Sequence, residues 1–170
     1  PTTSSLVALA IGDALASVLM VQRGFDKEDF ARNHPGGELG KQLALKVENI
    51  MHPINDVAQI NNKDSISSCA KKMTDNPLGA ALLLENGSLK GIVTEGDLRK
   101  SIASNLDLSN SIEPFINDNP ISIHSSVSIL DAMKIMEDRS SKISCLPVID
   151  SDGKCLGLLT IHDLYQTKLV

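Results

Sequence analysis

Gly91-Ile92-Val93-Thr94-Glu95-Gly96-Asp97-Leu98 recurs in variant form as Gly157-Leu158-Leu159-Thr160-Ile161-His162-Asp163-Leu164. Each copy reads as the end of an apolar strand, a threonine at the junction, and an aspartate in the first turn of a following helix. A threonine there holds its hydroxyl beside the unsatisfied N–H groups of the helix start, a place that suits a phosphate. An aspartate three residues on can accept two hydrogen bonds from a ribose diol. The same two residues also make an ordinary helix cap, so the motif alone leaves binding and capping open.

Working outward, the duplication extends to whole units. Ser65-Ile66 with Cys69-Ala70 and Met73 corresponds to Ser128-Ile129 with Ala132-Met133 and Met136, two serine-capped stretches with apolar residues at helical spacing. Residues 80–85, Asn86-Gly87 and residues 88–93 predict strand, turn and strand, and residues 145–149, Asp152-Gly153 and 154–159 repeat the pattern. Asn-Gly and Asp-Gly tolerate the positive φ of a tight hairpin. Each unit is therefore β-α-β-β-α, with a short helical lead-in at residues 47–51 or 111–116. A unit this small cannot cover both faces of its own sheet, so the two are expected to pack as a pair. The boundaries read as 46–104 and 110–170.

Residues 1–45 read differently. Ser4 or Ser5 can cap a first helix containing Leu6, Ala10, Ala14 and Leu15, and Gly24 ends it. Asp26-Lys27-Glu28-Asp29 starts a short second helix with an acidic first turn. Two helices without a strand make no independent core, so their partner is expected upstream, in a longer protein of which this chain is a piece. Between these helices and the repeats, Asn33-His34-Pro35-Gly36-Gly37-Glu38-Leu39-Gly40 holds an imidazole in backbone too rich in Pro and Gly for a helix. His34 either braces that loop or exchanges protons from it.

The bulk composition narrows the classes. The 170 residues are 42% hydrophobic and 22% charged, which suits a folded chain, and aromatics are only 2%, so Ile, Leu, Val, Ala and Met must build the core. A net charge of −5 argues against a nucleic-acid surface. Cys69, Cys145 and Cys155 are odd in number, lack CxxC spacing and sit in apolar patterns. Buried free thiols in a reducing cytoplasm follow, with no metal site. The apolar stretch from Leu6 to Val21 contains Gly12 and Asp13 and is shorter than a span requires, so it is expected to be a buried helix rather than a membrane segment.

The doubled strand-Gly-φ-φ-Thr-x-x-Asp-Leu unit resembles the tandem CBS domain, or Bateman module. The fold this implies is α+β, a CBS pair preceded by a helical segment. In that family the motif positions contact adenine or cytidine nucleotides. The resemblance extends the role to Thr94, Asp97, Thr160 and Asp163, with His162, in the place of Gly96, either meeting the ligand or narrowing the pocket. Arg99 and Lys100 add positive charge beside the first copy. His52 falls near the cleft entrance and is expected to face solvent, as is His124.

The first 45 residues carry a second resemblance, through Pro1-Thr2-Thr3-Ser4-Ser5, Gly12-Asp13-Ala14-Leu15-Ala16, Arg23-Gly24-Phe25, Asp29-Phe30-Ala31 and His34-Pro35-Gly36-Gly37 with Leu39-Gly40. They look like the end of a sugar isomerase (SIS) domain, and SIS followed by two CBS units is the arrangement of the D-arabinose 5-phosphate isomerase family. That family interconverts D-ribulose 5-phosphate and D-arabinose 5-phosphate on the way to Kdo, without a cofactor. The resemblance makes His34 catalytic and puts Thr3 and Ser4, in a loop at residues 2–5, near the sugar phosphate, although Leu6 departs from the family's hydroxyl residue. Its remaining catalytic and specificity residues would precede residue 1, leaving this piece inactive alone and leaving another SIS-family sugar-phosphate isomerase with CBS repeats as the alternative parent. It further implies either CMP-Kdo or an adenine nucleotide in the CBS cleft or an unliganded pair acting as an assembly device, with a dimer or tetramer as the assembly.

Overall fold

The computed structural model describes residues 2–26, 29–30, 33–34, 45–104 and 106–167. The chain divides into two compact units, Pro1–Ala44 and Leu45–Val170. The stretch Pro35 to Gly40 lies outside the described residues.

In the first unit, α1 spans Thr3–Gln22. Thr2 is its N-cap, so Ser4 and Ser5 lie inside the first turn rather than capping it, and Thr3 and Ser4 are helical rather than in a loop. The helix ends in a Schellman motif: Gly24 takes φ +62°, its N–H reaches Val21 O at 3.2 Å, and the Phe25 N–H reaches Met20 O at 2.9 Å. None of its residues is buried, contrary to the expectation of a buried helix. At 20 residues α1 also has the length and composition of a membrane-crossing helix, so shortness does not exclude a span.

The second unit begins with a 3-10 turn at Val47–Asn49, a short strand β1 (His52–Pro53) and a further 3-10 turn at Ile54–Asp56. The first repeat then runs β2 (Ala58–Ile60), α2 (Ile66–Asp75), β3 (Ala80–Glu85), β4 (Ser88–Thr94) and α3 (Glu95–Ala103). After a 3-10 turn at Glu113–Phe115 come β5 (Ile123–His124), α4 (Ile129–Glu137), β6 (Cys145–Ile149), β7 (Cys155–Thr160) and α5 (Ile161–Gln166). Ser65 and Ser128 cap α2 and α4, their hydroxyls accepting from the amides of Ser68 at 3.1 Å and Asp131 at 3.2 Å. Asn86 and Gly87, at φ +52° and +82°, make the tight first hairpin. The second is looser. Only Gly153 has positive φ there, while the Asp150 carboxylate gathers the amides of Asp152 and Lys154.

Period-two alternation divides the core. In β3, Ala81 and Leu83 face α2 beside Ile66, Cys69 and Met73, whereas Ala80, Leu82 and Leu84 face Ile92, Cys155 and Leu158 between the two repeats. The second repeat repeats the design with Ile129, Ala132 and Met136 of α4 against Leu146, Val148 and Leu159. All three cysteines are free and buried, and burial pushes the Cys69 thiol up to about 11.

The two repeats exchange their lead-in segments. β1, which precedes the first repeat, completes the second repeat's sheet in the order β1-β7-β6-β5 by pairing antiparallel with β7. The Val47 N–H bonds Val127 O at 2.9 Å, and Val47 is fully buried in the second repeat's core. Reciprocally, Asn117, which precedes the second repeat, pairs with Ile92 of β4, and Ile112 is buried in the first repeat's core. The motif glycines sit under these crossings. A Cβ on Gly157 would stand 2.0 Å from the His52 carbonyl oxygen, and one on Gly91 would meet Ile116 Cγ2 at 2.5 Å and Asn117 O at 3.1 Å. Gly157 is thus required by backbone approach rather than backbone angle, whereas Gly91 chiefly makes room for a side-chain methyl.

This geometry predicts unequal costs. Gly157→Ala drives Cβ into fixed backbone and should destabilise the fold by about 3 kcal/mol, whereas Gly91→Ala meets mainly a movable methyl and should cost about 1 kcal/mol, both read from urea midpoints. Acid should also weaken the fold. Burial pushes the Asp64 and Asp97 carboxyls up, but hydrogen bonds from Lys72, Asn61 and Ser68 to the first, and from Thr94 and Lys100 to the second, outweigh it and hold both below the ordinary range. Their stabilisation is complete above the unfolded pKa of about 4 and is lost as pH falls through the depressed folded value. Melting temperature should therefore drop below about pH 4. Asp64→Asn and Asp97→Asn should each flatten that drop.

Candidate functional site

A cleft of about 920 Å³ opens within the second unit, lined by both copies of the motif and by both crossing segments. Thr94, Glu95, Gly96 and Arg99 contribute from the first repeat, and Thr160, Ile161, His162 and Asp163 from the second. His52 and Asn117 enter from the crossings, while Arg139, Lys142 and Cys145 come from the second repeat's α4–β6 side. Pro77, Leu78, Pro120, Ile121 and Ile143 supply apolar wall. Arg99 and Arg139 are exposed, and among the described residues neither has an ion pair. Lys142 is engaged by Glu137. An anion entering the cleft would therefore meet two uncommitted guanidinium groups.

Both motif threonines head capping boxes. The Thr94 hydroxyl donates to Asp97 Oδ2 at 2.6 Å, and the Thr94 N–H reaches the same oxygen at 3.1 Å. At the second copy, the Thr160 hydroxyl and N–H both reach Asp163 Oδ2 at 2.8 Å. The remaining carboxylate oxygens differ. Asp97 Oδ1 accepts from Lys100 one turn along its own helix at 2.9 Å, and Asp97 does not line the cleft. Asp163 does line it, and its Oδ1 lies 3.0 Å from His52 Nε2. Because the carboxylate accepts, Nε2 carries the hydrogen.

The structure thus gathers Thr94, Thr160, His162 and Asp163 around one cavity and leaves Asp97 beside it. Sequence reasoning missed the role of His52. It was expected to face solvent, but its side chain is 36% exposed and ties the lead-in of one repeat to the motif of the other. No local signal announces a bond between residues 111 positions apart. Lys100 faces away into its pair with Asp97, and His124 Nδ1 accepts from the Ser126 N–H at 3.2 Å and from its hydroxyl at 2.7 Å. The Cys145 thiol donates to Leu78 O at 3.2 Å. Burial raises its pKa and the nearby Glu95 and Asp163 raise it further, so it meets the cleft as a neutral thiol.

In the first unit His34 is exposed. Its N–H bonds Phe30 O at 3.0 Å, and its ring meets the Phe30 ring edge-on with centroids 4.6 Å apart. Near the start of α1, the Thr2 hydroxyl lies 2.9 Å from Ser4 Oγ and 3.1 Å from Ser5 Oγ.

Comparison with known proteins agrees with this architecture. A Pseudomonas aeruginosa protein named arabinose 5-phosphate isomerase KdsD is 40% identical over 172 residues, covering 100% of this chain and 52% of that protein. The chain spans about half the length of the curated relatives it matches. Among solved structures, the CBS domain pair of protein MJ0100, in complex with 5-methylthioadenosine and S-adenosyl-L-methionine, is 25% identical with a TM-score of 0.62, covering 72% of this chain and 94% of that one. CBSX2 of Arabidopsis thaliana, solved with AMP, gives 19% identity and a TM-score of 0.61 over 74% of this chain and 97% of that one. The CBS domain family matches twice, over residues 47–104 and 112–168. With two such matches on two exchanged repeats around one cleft, the chain belongs to the CBS domain family.

Proposed function

We propose that this chain is the C-terminal part of an arabinose 5-phosphate isomerase, interconverting D-ribulose 5-phosphate and D-arabinose 5-phosphate in Kdo biosynthesis. The CBS pair, residues 46–104 and 110–170, is its regulatory module and senses a nucleotide or nucleotide-sugar. The observation that carries the reading is the 40% identity to the Pseudomonas aeruginosa isomerase, which extends through the first unit as well as the repeats. Aldose–ketose isomerisation through an enediol moves a proton between C1 and C2 and needs further acid–base help at the sugar oxygens, work suited to an accessible imidazole. His34 is that group, with Thr3 and Ser4 near the phosphate. The bare apolar surface of α1 packs on the upstream half, where the other catalytic groups reside. The parent acts in the cytoplasm as a dimer or tetramer.

Ligand sensing draws support from the cleft's uncommitted Arg99 and Arg139 and from the adenosine compounds bound by MJ0100 and CBSX2. One observation favours a second reading, in which the pair is an unliganded assembly device. The outer oxygens of both motif aspartates are already engaged, by Lys100 and by His52.

In an intact protein carrying this chain, His34→Ala should lower kcat about 100-fold or more with an unchanged melt. A near-normal kcat would remove the catalytic assignment. Calorimetry of the chain with CMP-Kdo, CMP, AMP and ATP should give heat with at least one. Silence from all four, together with an oligomer in light scattering, would favour the assembly reading.

A further inference from the structure

His52 and Asn117 hold equivalent places on the two crossings, opposite Leu158 of β7 and Ile92 of β4. They behave differently. Asn117 turns back to accept the Asn119 amide at 3.1 Å, whereas His52 reaches across to Asp163. The two halves of the cleft are therefore chemically unequal, and Asp163 is the motif aspartate that faces it.

An acceptor count shows what this does. Asp163 Oδ2 already receives two donors, the Thr160 hydroxyl and N–H, which fill its lone pairs. Oδ1 receives His52 and has one position left. A ligand with a single hydroxyl can take that position without disturbing the histidine. A vicinal diol needs both positions on Oδ1, and it gains two bonds for the one it breaks. The β1 backbone stays held by the pairing of Pro53 with Gly157, so the motion is confined to the imidazole.

We propose that His52 is a specificity-determining residue of the second half-site, an internal donor that only a ligand carrying a cis-diol displaces from Asp163. The proposal rests on the nucleotide-sensing reading above and assigns its discriminating contact.

The test follows the four histidine imidazole signals of the chain by NMR, with His52→Gln assigning the one of interest. At saturation AMP or CMP should shift the His52 signal. Their 2′,3′-dideoxy forms should leave it in place and bind about three- to tenfold more weakly. In His52→Ala, which removes the competitor, AMP or CMP should bind tighter by a similar factor. Calorimetric binding of a ribonucleotide with no movement of the His52 signal overturns the proposal, as does an equal shift with the dideoxy form. Weaker binding by a His52→Ala variant with a wild-type melt also overturns it, by making His52 a ligand contact. Absence of heat with either nucleotide overturns it together with the sensing reading.

Discussion

The second unit depends on one backbone approach, where the His52 carbonyl rides over Gly157 with no room for a Cβ between them. Much else follows from that contact. It fixes β1 on the edge of the second repeat's sheet, and β1 draws the 3-10 turn before it down so that Val47 fills the second repeat's core. The mirror crossing over Gly91 does the same for Ile112 in the first repeat. Neither repeat has a complete core without a residue that precedes the other, so the pair has no natural point of division. Two half-domains with swapped lead-ins are one folding unit, although the sequence duplicates cleanly.

The cleft is a product of the same exchange. Each crossing brings one polar side chain to the rim, His52 on one side and Asn117 on the other, and aligns the two threonine-headed helices across a common space. The capping boxes quench most of the hydrogen-bonding capacity at those helix starts. The cleft's positive charge without an ion pair among the described residues comes from Arg99 and Arg139, one from each repeat, with the Glu95 carboxylate on the same wall. The motif aspartates are spent on caps and cross-links, while the two guanidinium groups at the cleft stay in solvent without an ion pair among the described residues.

Much of this was legible in the residues. Serine caps at Ser65 and Ser128, the Asn86-Gly87 turn and the duplicated Thr-x-x-Asp were local patterns, and local patterns survive into structure because neighbouring backbone decides them. What escaped was non-local. The sequence reads Gly91 and Gly157 as motif letters, but their reason is the crossing segment that passes over each. His52 looked like a surface histidine because its partner lies in another unit of the repeat. Asp152-Gly153 resembled Asn86-Gly87, yet the Asp150 carboxylate captured the loop amides and made a longer turn. Even α1 was shifted at its start, since Thr2 rather than a later serine took the cap, and none of its residues is buried as expected.

Native-state hydrogen exchange on the second unit tests the central claim, that exchanged lead-ins weld the repeats into one unit. The account predicts that slow amides of β3 and β4 and those of β6 and β7 share a single opening free energy, and that Gly157→Ala lowers all of them together. Two separate opening free energies, with the variant lowering only the second repeat, would contradict it.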